Sequence, residues 1–359
     1  MKTRHALAAT AVGVALVVAG CTTPPSPPPT PPQTPLTTPG GPASTSPTPS
    51  PEPMAPLTSI TLNPPSPEFG PTWSQVLTIP YGDAPEQLGT SLGGDGEGIH
   101  WGPSYGTQLP DGTWWFVDTG KLRLAHYSEH GDFLGDLRLP EEHLAQGQYL
   151  QYARPLALSD GTLVLQSTTP DSPGMLLLAP DGTLSRTPSD QWWSVHMTDG
   201  TYLYGFDDAG AAIRVDPRTG SAIPVAALST VSGQELRIHR EPGALEIELG
   251  GRVRNLPVAA TGHDDAEVHL GIEAAVGSDG VANVLLSGMV EETAGEITDV
   301  HGLLRIDADG RGAVDDLPTL TSEADPADGL RLGVRWGDDR PWLMLIGDDA
   351  VRVYRKAVS

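Results

Sequence analysis

Between Trp73 and Ser359 the sequence is cut into short apolar runs by a recurring Asp-Gly dipeptide, and that punctuation leaves room for strands and little else. Gly112 to Val117, Thr162 to Gln166 and Met175 to Leu178 are such runs. No long stretch carries the 3.6-residue period of an amphipathic helix. Asp-Gly stands at Asp95, Asp111, Asp160, Asp181, Asp199, Asp279, Asp309 and Asp328, and glycine accepts the positive φ that a tight hairpin demands. Several turns come in couples about 20 residues apart: Asp111 with Gly131-Asp132, Asp160 with Asp181, and Asp199 with Asp216 to Gly220. Two hairpins per unit make a four-stranded antiparallel meander.

Proline sets the number of units. Short segments end in Pro80, Pro140, Pro188, Pro224, Pro257 and Pro318, and a residue without an N–H belongs where an edge strand stops. Six outer strands over the 287 residues from Trp73 imply units of about 48 residues, so the expectation is an all-β, six-bladed β-propeller. Ser74 to Ile79 has no inner strands before it, and Leu330 to Val358 supplies three strands with no outer one after them. The N-terminal strand is therefore expected to complete the last blade and close the ring. The interval from Pro224 to Pro257, 33 residues, is short for a blade.

The chain divides into residues 1–20, 21–72 and 73–359. Lys2 and Arg4 precede an apolar run from Ala6 to Val18, too short to span a bilayer permanently, and Val18-Ala-Gly-Cys21 follows. Cys21 is the single cysteine, so burial alone must hold the fold without an internal disulfide. The segment resembles the bacterial lipoprotein signal, whose lipobox ends in cysteine. That resemblance implies cleavage before Cys21, diacylglycerol on its sulfur and a further acyl chain such as palmitate on its amine. More than one chain gives stable anchoring at the outer face of the cell membrane. From Thr22 to Thr72, 19 of 51 residues are proline. Such a segment reads as a disordered, extended tether, reaching about 100 Å over Thr22 to Pro56 at roughly 3.1 Å per residue.

At Gly102-Pro103, Asp111-Gly112, Phe116 to Gly120, Arg123 and Gly131 to Gly135 the chain resembles an NHL repeat, departing from it at Lys121-Leu122. NHL-like propellers include binding modules and enzymes, so the resemblance speaks to fold. Likeness to propeller lactonases of the SMP-30 type would imply calcium or zinc in the axial channel, held by Glu, Asn and Asp from different blades. Asn283 and Asn255 are the candidates for the amide.

The densest ligand-type cluster is His263, Asp264, Glu267 and His269, which could hold zinc or another transition ion if Glu267 and His269 share a strand face. Asp-Asp pairs at Asp207, Asp264, Asp315, Asp338 and Asp348 offer oxygen ligands, with turn chemistry as the simpler reading. Gly102 to Gly106 fits G-x-S-x-G but lacks the strand-to-helix setting of a nucleophile elbow. The tryptophan pairs Trp114-Trp115 and Trp192-Trp193 place one ring on each side of a strand, for packing between blades or for stacking on a sugar. A net charge of −24 with only three lysines excludes a phosphate-tracking surface, and with it nucleic acid. The expected function is a monomeric, non-catalytic binding or scaffold module on the membrane, with cell-wall glycan or an envelope protein as partner. A metal-dependent hydrolase is the alternative.

Overall fold

The structure, a computed structural model, describes residues 54–357 apart from 64–71, 90, 93–99, 102, 104, 140–151, 168–172, 190–192, 227, 230–233, 242, 263–267, 277–280, 292–296, 308, 316, 318–329, 336–337 and 348. Six antiparallel sheets carry the chain as the six blades of a propeller. Blade 1 runs through Tyr105–Gln108, Trp114–Asp118, Arg123–Tyr127 and Phe133–Arg138. Blade 2 uses Tyr152–Ala157, Leu163–Ser167, Gly174–Leu178 and Leu184–Pro188, and blade 3 uses Trp193–Thr198, Leu203–Asp207, Ala212–Val215 and Ala222–Pro224. Blade 4 comprises Leu228–Ser229, Glu235–Glu241, Ala244–Leu249 and Arg252–Ala260; blade 5 comprises Val268–Val276, Ala282–Glu291, Ile297–Ile306 and Arg311–Asp315.

Blade 6 takes Leu330–Arg335, Asp338–Ile346 and Ala350–Lys356 from the end of the chain, and Trp73–Pro80 from its beginning. Val351 pairs with Ile79 and Lys356 with Trp73, so the ring closes as the strand arithmetic requires.

Local chemistry makes the hairpins. Asp111, Asp160 and Asp181 each accept, at Oδ1, the backbone N–H two residues on, an Asx turn. The following glycines take φ of +92°, +84° and +85°, where a side chain would be strained. The Asp-Asp pairs are spent on turn bonds or ion pairs where those are described. Asp207 caps its own turn through Ala209 and Ala211, Asp315 pairs with Lys356, and Asp349 with Arg352.

Period-two alternation then sorts side chains to the two faces of each blade, as in the buried–half-buried alternation of Trp193–Thr198. Facing blades fuse into apolar clusters. Val117 and Leu124 of blade 1 meet Leu163 and Leu176 of blade 2, and Val164 and Met175 of blade 2 meet Trp193 and Val195 of blade 3. Leu285 and Leu303 of blade 5 meet Trp73 and Leu343 of blade 6, while Trp342 and Met344 of blade 6 meet Trp114 and Phe116 of blade 1. Blades 4 and 5 share the largest cluster, to which blade 3 contributes Met197 and Tyr204.

Two sequence expectations need correction. The tether does not run to residue 72. Ala55–Pro56 pairs antiparallel with Arg311–Gly312, and Ile60–Leu62 lies parallel to Val258–Ala260. Ile60 and Leu62 are fully buried, so three alternating residues suffice to strap the proline-rich segment across blades 4 and 5. For the same reason Pro257 does not end its strand, which continues to Ala260 because the strap supplies a new neighbour.

Candidate functional site

The NHL-like residues of blade 1 are structural. Asp118, fully buried, accepts from Gly89 N (2.9 Å) and pairs with Arg123 Nε (2.8 Å), whose Nη1 reaches Asp136 (2.8 Å). Lys121 Nζ donates to the carbonyls of Ala84 and Gln87 (2.6 and 2.9 Å), and Tyr127 Oη to that of Glu86 (3.1 Å). The set clamps the segment leaving the closing strand onto blade 1. Burial raises the Tyr127 phenol far above its ordinary range, and the neighbouring carboxylates hold Arg123 more firmly protonated despite its own burial.

Trp114 packs edge-on against Trp342 (5.2 Å between ring centres), while Trp115 on the opposite face stacks on His126 (4.2 Å, 9°). Trp115 and His126 line a cavity of about 610 Å³ between blades 1 and 2, with Asp111 and Asp181 on its walls. Burial lowers the pKa of His126.

The inner strands of blades 1, 2, 3, 5 and 6 line the axial channel, a cavity of about 90 Å³ bounded by Tyr105, Thr107, His196, Glu273 and Arg331. Arg331 lies over the Tyr105 ring at 4.7 Å, and His196 Nε2 is 3.0 Å from Ser194 Oγ. Among the described residues blade 4 contributes nothing to this lining, its described inner strand being Leu228–Ser229. In its place a cavity of about 600 Å³ opens between blades 3 and 4, sharing His196, Met197, Glu273 and Ala274 with the channel.

This side cavity has the composition of a binding site: apolar walls with a few polar groups. Phe206 lines it while 39% exposed, with Ile238 and Ile272 nearby and Arg237, His239 and Arg240 on the blade 4 side. Arg237 Nη1 pairs with Glu248 at 3.0 Å. The sequence offered no motif for these residues; the short Pro224 to Pro257 interval was their one signal.

His263, Asp264 and Glu267, and likewise Cys21, lie outside the described residues. His269 is exposed on the inner strand of blade 5, opposite Met289. Asn283 is buried on the second strand of blade 5, donating to Val281 O, and Asn255 sits on the outer strand of blade 4; neither lines the axis. Among the described residues no three His, Cys, Asp or Glu side chains form a metal-binding group.

Solved structures similar to the chain include virginiamycin B lyase from Staphylococcus aureus, at 11% identity over 70% of this chain and 94% of that one (TM-score 0.38). Regucalcin, a calcium-binding protein from Agrobacterium tumefaciens, matches at 13% over 84% and 97% (TM-score 0.38). A putative exported protein from Bacteroides fragilis matches at 8% over 84% and 100% (TM-score 0.45). No curated protein matches the chain. Residues 71–356, which take in all six blades, match one family model throughout, and the chain belongs to that family, described as a domain of unknown function (DUF7485).

Proposed function

We propose that the chain is a lipid-anchored, non-catalytic binding module on the outer face of a bacterial cell membrane, which takes its ligand in the side cavity between blades 3 and 4. The observation that carries the binding reading is the cavity itself. Between blades 3 and 4 Phe206 stays partly exposed inside a space of about 600 Å³, within the size range of small-ligand sites. An exposed large aromatic in a concave surface is the kind of apolar exposure that marks an interaction site. The anchor reading rests on the signal-like segment ending at Cys21 and on the proline-rich stretch that follows.

Fractionation tests the anchor: Cys21→Ser should move the protein from the membrane to the soluble fraction, and unchanged retention would overturn it. A fragment screen of the full-length protein in detergent tests the cavity. Hits should be lost in Phe206→Ala; hits indifferent to that change would place binding elsewhere.

A further inference from the structure

Of the two neighbouring tryptophans on the second strand of blade 1, one is sealed into the core and the other is not. Trp114 is 1% exposed and packs blade 1 against blade 6. Alternation turns Trp115 to the opposite face, where it is half-buried and lines the cavity of about 610 Å³ between blades 1 and 2. Its partner across the ladder is His126, and the two rings lie 4.2 Å apart at 9°. His126 Nε2 is buried without a hydrogen bond, so stacking, more than a polar contact, holds the imidazole. The next residue across the ladder is Gly135. A Cβ there would meet no atom beyond its chain neighbours within 4 Å, so the row of rings ends in open space, with Asp136 and Leu137 lining the cavity beside it. Two stacked rings with room next to them make a platform for a further flat layer.

The polar groups narrow the occupant. Asp111, Asp136, Asp160 and Asp181 stand around this cavity, and among the described residues no lysine or arginine lines it. An anionic ligand is therefore repelled. A cation gains little, because Asp136 already pairs with Arg123 and Asp160 with Arg218, and Asp181 is exposed to water, where an ion pair is worth little. What the walls offer is acceptor capacity. Asp111 and Asp181 each give Oδ1 to their own turns, at Thr113 and Thr183, which leaves the second carboxylate oxygen to accept from a ligand. Hydroxyl groups are the matching donors, and the C–H face of a pyranose is the flat apolar layer that an aromatic platform takes.

We propose that the cavity between blades 1 and 2 is a second binding site, for a neutral oligosaccharide. A pyranose ring stacks on the Trp115–His126 platform, and its hydroxyls donate to Asp111 and Asp181. A volume of about 610 Å³ lies within the range of small-ligand sites. This site is separate from the side cavity between blades 3 and 4, and neither assignment depends on the other.

The test titrates full-length protein, in a detergent without a sugar headgroup, with maltotriose, cellotriose and tri-N-acetylchitotriose, and follows binding by calorimetry. At least one should bind with a Kd of about 1 mM or tighter, and trigalacturonate, which carries carboxylates, should bind at least about tenfold more weakly. Trp115→Leu keeps the wall apolar and should weaken the saccharide by about tenfold or more. The paired change Asp111→Asn with Asp181→Asn retains both turn bonds through Oδ1, so its Tm should hold while affinity falls by about tenfold; this variant decides the matter if Trp115→Leu does not fold. Saccharide binding that survives these changes but is lost in Phe206→Ala would move the sugar to the side cavity and overturn the second site. Binding of tetramethylammonium without any trisaccharide would overturn the saccharide class, and failure of all three trisaccharides to bind would overturn the proposal.

Discussion

The boundary between blades 6 and 1 and the boundary between blades 3 and 4 solve one geometric problem in opposite ways. Where the chain's two ends meet, Trp114, Trp342, Phe116 and Tyr127 form a dry cluster, and the Asp118–Arg123 pair with Lys121 clamps the neighbouring segment. Between blades 3 and 4, Phe206 stays partly exposed beside the Arg237–Glu248 ion pair, and the inner strand is two residues long. The sealed boundary supplies stability, and the open one supplies a concave surface, even though Met197 and Tyr204 still join blade 3 to the apolar cluster of blades 4 and 5.

The contrast can be broken most forcefully at the sealed side. Trp114→Ala removes the largest fully buried side chain and should cost about 3 to 5 kcal/mol, read as a fall in denaturant midpoint at constant m-value. Asp118→Ala strips a buried partner from Arg123, itself only 3% exposed, and should cost about 3 kcal/mol; Asp136 remains to moderate the loss.

A smaller effect is expected at the strap. His301 is buried with neither ring nitrogen partnered, its backbone N–H donating to Asn63 O. Burial lowers its pKa from the ordinary value of 6.5, against a weaker pull from Asp299. The unfolded chain therefore binds the proton more readily, so stability is full above about pH 6.5 and declines as the pH falls through it. His301→Leu should flatten that decline, with the residue left to His126, whose pKa shifts the same way. An unchanged slope in a pH series of unfolding curves would contradict the assignment. The least effect belongs to the open boundary: Phe206→Ala should change stability by no more than about 0.5 kcal/mol.

What the sequence disclosed follows from how local each cause is. Asp-Gly turns at Asp111, Asp160 and Asp181 were legible because carboxylate and glycine act within three residues. Ring closure was legible because strands could be counted at both ends. Ile60-Thr61-Leu62 was hidden by the prolines around it, since its burial depends on blades 4 and 5 some 200 residues away. The same strap concealed the fate of Pro257. The side cavity is assembled from Phe206, Ile238 and Ile272 of three different blades, which no composition or spacing reports; the short blade 4 interval marked the place without its meaning. Asn255 and Asn283 looked like channel ligands only because amides are scarce, and their strands set them away from the axis.

Amide exchange of the unliganded full-length protein tests the open boundary most directly. Ile238, beyond the two-residue inner strand Leu228–Ser229 that pairs with Leu236 and Glu235, should exchange rapidly, at rates set by local exposure, while Phe116, Val117 and Val353 exchange only through global unfolding. Protection of Ile238 equal to that of Val353 would mean that this boundary is sealed like the others, and would contradict the account.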